Sequence, residues 1–186
     1  MFFKSIDRRV SMLAVLGLFP TAFVAGEVRE QLDSDRGGTM LMGQVEEVAR
    51  DIQHNADRLD SFTRSGQVST GTHKDYLTQI KSLVNEGLVP TLNRLTEMQP
   101  DLPEWQQDAI DRMLESVKAL AANTNSAILN LNETGNLPVL LNADHREFVS
   151  QINEHAEALV KTADAAGACA EARQKAVEAG LNVPEQ

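Results

Sequence analysis

From Thr39 onward apolar residues recur at spacings of three and four, and nothing alternates with period two over a useful length. That pattern predicts helices and no strands. The first helix opens near Thr39, a fair N-cap, and aligns Leu41, Val45, Val48, Ile52, Leu59 and Phe62 on one face. It ends near Ser65, with Gly66 just past its end, and residues 66–71 read as a Gly/Ser/Thr loop. Thr72, with Asp75 three residues on, approximates a capping box for the second helix. The core face of that helix is Leu77, Ile80, Leu83, Val84, Leu88, Leu92, Leu95 and Met98. Pro90 lacks a backbone donor and crowds the carbonyl of Glu86, so a kink is predicted there, eased by Gly87.

Pro100 closes this segment, and Asp101 with Glu104 forms the next capping pair, with Pro103 in the first turn. The third stripe runs Ile110, Met113, Val117, Leu120, Thr124, Ile128 and Leu131 before Gly135 and Pro138 break it. A spacing near 3.5 sustained over about 30 residues implies a rod of roughly 45 Å with coiled-coil-like packing. The fourth helix begins between Val139 and Asp144 and continues to about Glu178. Its inward side is Phe148, Ile152, Leu159, Ala163, Ala166, Ala170 and Val177. Four apolar stripes joined by short loops are most simply buried as an all-α, up-down-up-down, left-handed four-helix bundle over residues 39–179. The Ala-rich end of the fourth helix lets its neighbours approach closely, and Trp105 is placed to fill that end.

The first 26 residues differ in kind. Lys4, Arg8 and Arg9 precede an apolar run from Val10 to Ala25, with Val24 and Gly26 suited to a cut at Glu27 and Ala22 or Ala25 as alternative marks of the cut. A basic region, a short apolar region and small residues predict a secretory signal peptide over 1–26. The apolar run is about 16 residues, short of the ~20 that span a bilayer. Residues 27–38, ending in Gly37-Gly38, read as a flexible leader, and 180–186 as a tail.

Export changes the charge balance. Removing Lys4, Asp7, Arg8 and Arg9 from the 17 basic and 27 acidic residues leaves a net charge of −12. That charge disfavours nucleic acid and anionic lipid, and suits a cationic partner. The aromatics that remain are Phe62, Tyr76, Trp105 and Phe148, little material for base stacking or a planar cofactor. Cys169 is the only cysteine, so no intramolecular disulfide is possible, and the pattern around it predicts a small buried residue.

No familiar chemistry is complete. Ferritin-like di-iron sites need repeated Glu-x-x-His, and the nearest match is a single Asp51-x-x-His54 on a charged face. Covalent haem needs two cysteines, and b-type bundle haem needs a late histidine that the fourth helix lacks. No nucleophile elbow, P-loop or dinucleotide fingerprint occurs. His73, in a first helical turn, is expected to be solvated. His145 and His155 fall on or near the seam, and His155 comes level with Asn55, which suggests a polar layer that sets register. The alternative is a transition-metal or small-ligand site built from His155, His145 and Asn55.

The segment Ala56-Asp57-Arg58-Leu59-Asp60-Ser61-Phe62-Thr63-Arg64-Ser65, followed by Gln67-Val68-Ser69 and His73, resembles a recurring segment of small exported helical proteins of soil bacteria. The resemblance implies an exported helical bundle and supplies no activity. The expectation is therefore a non-enzymatic extracytoplasmic bundle without cofactor. It would act as a binding, structural or stress-related accessory to a protein or small-molecule partner, as a monomer or weak oligomer without a lasting membrane anchor.

Overall fold

The computed structural model describes residues 22–65, 69–134 and 142–180, with side chains from residue 35 onward. Helix α1 spans Ala22–Ser65, α2 Thr70–Ser82, a π-helical segment Leu83–Leu88, α3 Val89–Met98, a 3₁₀ turn Gln99–Asp101, α4 Glu104–Thr134 and α5 Ala143–Glu178. Because α2, the π segment and α3 follow one another without a break, the described chain forms four helical rods and no strand. The composite second rod packs on α1 and α4, and α5 packs on both α4 and α1.

The heptad arithmetic of the core is cleaner than the sequence suggested. On α1 the seam runs Gly38, Met42, Val45, Ala49, Ile52, Ala56, Leu59 and Thr63, with Leu41 buried beside it; on α5 it runs His145, Val149, Ile152, Ala156, Leu159, Ala163 and Ala166, with Val160 buried beside it. Both runs alternate four and three, the period of a coiled-coil seam. Small residues at Ala49, Ala56, Ala156, Ala163 and Ala166 suit the close pairing of these two helices. Val48 and Phe62 are instead half-buried flanks of the seam, and Val177, assigned to the core, is 60% exposed.

In the second rod the rhythm changes. Its buried residues are His73, Leu77, Ile80, Val84, Leu88, Leu92 and Leu95, so three successive spacings of four cross the π segment. A π turn accommodates one extra residue, which returns Leu88 and Leu92 to the core. The Val89 N–H donates to the Val84 carbonyl, one residue further back than in an α-helix. Thr91 Oγ1 donates to the Gly87 carbonyl at 3.0 Å. A Cβ at Gly87 would lie 2.8 Å from Val48 Cγ1, so this glycine permits close approach to α1.

Several boundaries move. Helix α1 runs through the supposed leader and past Thr39, whose hydroxyl donates back to the Asp35 carbonyl instead of capping. Gly37 and Gly38 lie within the helix, and the absence of a Cβ there gives room to Met98 and Gln106. The cap of α2 is Ser69, which accepts from Thr72 N–H at 3.2 Å, one turn before the expected Thr72. Asp101 belongs to the 3₁₀ turn, and α4 instead begins where the Pro103 carbonyl accepts from the N–H groups of Gln106 and Gln107. The breaks at Gly66, Gly135 and Pro138, the predicted signal peptide as far as residue 21 and the tail beyond Gly180 lie outside the described residues.

Candidate functional site

The buried titratable side chains among the described residues are His73 and His145, at 1% and 0% exposure. Each sits in the first turn of its helix, on α2 and α5, with a side-chain cap just before it. Asn142 caps α5 by accepting from the His145 N–H at 3.0 Å. The Asn142 amide nitrogen also donates to Asn130 Oδ1 at 2.6 Å and to Thr134 Oγ1 at 3.3 Å, which ties the start of α5 to the end of α4. Placed this way, His145 Nε2 lies 3.4 Å from His73 Nδ1, and the rings meet edge to face with centroids 5.3 Å apart.

The outer nitrogens, His73 Nε2 and His145 Nδ1, are buried with no hydrogen-bond partner. Burial therefore favours the neutral rings. It holds His73 below the ordinary histidine value. His145 is pushed down to about 4, by burial first and then by His73, with the Ala127 backbone acting weakly the other way. The expectation of a solvated His73 is overturned. Its signal was available, since 73, 77, 80 and 84 continue the seam spacing one step earlier than the stripe was traced.

The residues of the alternative metal site do not converge. His145 and His155 are ten positions apart on α5, about 15 Å of helical rise, too far to share one ion. His155 is half-buried because Ala156 takes the seam position. Asn55 is likewise displaced by Ala56, and its amide donates to the Asp51 carbonyl at 2.9 Å. Asp51 and His54 are exposed. Among the described residues no group of three His, Cys, Asp or Glu side chains is placed to hold a metal. Cys169, expected to be buried, is partly exposed.

The opposite end of the bundle carries a second polar cluster that the stripes did not reveal. Gln106 on α4 is fully buried, and its Nε2 donates to Asp35 Oδ1 at 2.6 Å, to the Asp35 carbonyl at 3.2 Å and to Thr39 Oγ1 at 3.1 Å. Burial raises the Asp35 carboxyl above its usual range, against the opposing effects of Arg173 and Gln106. Partial burial of Trp105 at the start of α4 leaves its indole N–H without a partner. Between α1 and α5 an open groove of about 500 Å³ is lined by Asp57, Asp60, Ser61, Arg64 and Asn153, with Arg64 already paired to Asp60.

Comparison with known protein families, curated proteins and solved structures finds no match to this chain. No helix among the described residues is long and apolar enough to cross a membrane.

Proposed function

We propose that this protein is an exported, non-enzymatic four-helix bundle that serves outside the cytoplasm as a binding, structural or stress-related accessory. The observation that carries this reading is the use made of the buried polar residues, which are Thr63, His73, Gln106, Thr124, Asn142 and His145 among those described. Thr63 and Thr124 return their hydroxyls to the Leu59 and Leu120 carbonyls, Asn142 caps a helix, Gln106 ties α4 to α1, and the two histidines face each other. The two threonines are satisfied within their own helices and the others cap a helix or join one helix to another, and a partner would meet an acidic outer surface that suits a cationic ligand or protein.

The finer architecture in this proposal is up-down-up-down and left-handed, with a change of axis at Pro90. The alternation of four and three in the seams supports the hand, since a 3.5 period winds helices leftward. The packing of each rod on its sequence neighbours, with α5 returning to α1, supports the order. Export rests on the basic and apolar leader of residues 1–26. Fractionation and intact-mass measurement of the full chain expressed in a bacterial host tests it. The expected species is extracytoplasmic and begins near Glu27; a dominant cytoplasmic species retaining Met1 to Gly26 would overturn the proposal.

A further inference from the structure

We propose that the His73–His145 contact is an acid-released latch, which holds the start of α2 to the start of α5 at neutral pH and lets α2 open when protons are taken up. Two neutral imidazoles carry one N–H each, so one N–H can face one lone pair across the 3.4 Å contact. One outer nitrogen is then an unpartnered N–H and the other an unpartnered lone pair. A first added proton fills that lone pair and makes a buried cation whose inner N–H still has the other ring as acceptor. A second places N–H against N–H, and two positive charges across the same contact.

No charged side chain packed around the pair compensates the charge, and the Ala127 backbone favours protonated His145 only against the larger effects of burial and His73. The buried side chains of α1 and α4 at this end, Thr63, Ala127 and Leu131, do not titrate. Glu133 on α4 and Asp144, Arg146 and Glu147 on α5 are exposed, as is Asp75 on α2, while Lys74 is half-buried and cationic. Tyr76 turns to Phe62 and accepts from Arg58. Asp60 is occupied by Arg64. Both rings also stand in first helical turns, where the helix dipole opposes a cation. Of the two helices α2 is the one released, because the Asn142 bonds to Asn130 and Thr134 hold α5 to α4 without the histidines.

Opened rings regain an ordinary proton affinity near 6.5, while the closed His145 binds its proton only near 4, so acid favours the open form between those values. Hydrogen exchange of the full-length protein at about pH 7 and about pH 4.5, corrected for intrinsic rates, tests this. Protection of amides in Thr70–Ser82 should fall at least about tenfold relative to the middle of α4. Trp105 fluorescence, at the other end of the bundle, should stay native. In a His73→Leu/His145→Leu double variant the selective loss should vanish. Should that variant not fold, NMR titration of the wild-type histidines decides, both buried rings titrating below the ordinary histidine value. An ordinary titration near 6.5, loss spread evenly over all helices, or the same selective loss in the variant would overturn the latch. A zinc-dependent rise in melting temperature, present in the parent and absent in the variant, would replace it with a metal site.

Discussion

Asp35 and Gln106 illustrate how a single polar residue can be structural at one pH and costly at another. Burial raises the Asp35 carboxyl, so the folded state holds its proton more tightly than the unfolded chain does. A raised carboxyl weakens folding once it ionises, and the penalty disappears as pH falls below the ordinary carboxylate range. Asp35→Asn, whose amide oxygen can still accept from Gln106, should therefore be neutral or stabilising in denaturant melts at neutral pH, with the gain lost in acid. Gln106→Leu should cost about 1–3 kcal/mol, because it strips a partly buried carboxylate of its donor. His145 works in the opposite sense. Its folded value lies below the unfolded one, so stability is present above about pH 6.5 and is lost towards about pH 4, by up to about 3 kcal/mol. Melts of the parent and of His145→Leu across that window should converge at neutral pH and separate in acid. None of these partners was legible in the chain, since Asp35 and Gln106 are 71 residues apart and only folding joins them.

At the scale of elements, the period of the apolar residues located the rods correctly because burial on one face is a local property of sequence. The π segment was not read from the chain, where Pro90 suggested only a kink, although the run Ile80, Val84, Leu88, Leu92 carries the extra residue in its spacing. The helical course through Gly37 and Gly38 was not legible, because glycine pairs signal loops until a neighbour demands the missing Cβ. Gly87→Ala separates the two roles of glycine. Alanine improves helix propensity by about 1 kcal/mol, yet its Cβ would meet Val48 Cγ1 at 2.8 Å. A net loss of about 1–2 kcal/mol is expected in thermal or denaturant unfolding. Repeating the change in a Val48→Ala background should make it neutral or favourable. Loss of the same size in both backgrounds would place the constraint in the π-helical backbone rather than at the contact.

For the whole molecule, the core and the polar ends play different parts. Leu120, Ile52, Ile152 and Leu159 have no exposed surface and belong to one continuous core. Leu120→Ala should cost about 2–5 kcal/mol from lost transfer energy and an incompletely collapsed cavity. A variant as stable as the parent would mean that α4 buries another face. Histidine placement was harder to read than the core. His145 lay on the traced seam, but a drift of one residue moved His155 and Asn55 off it and left the partner of His145 unrecognised on another helix. The central claim is that the polar interior holds an exported bundle together and serves no resident metal or ligand. Native mass spectrometry with metal analysis, on the full chain recovered from the extracytoplasmic fraction, tests that claim most directly. The account predicts a species beginning near Glu27 with no stoichiometric metal or small molecule, and melting unaffected by a chelator. One equivalent of metal or ligand that disappears in His145→Leu would contradict it.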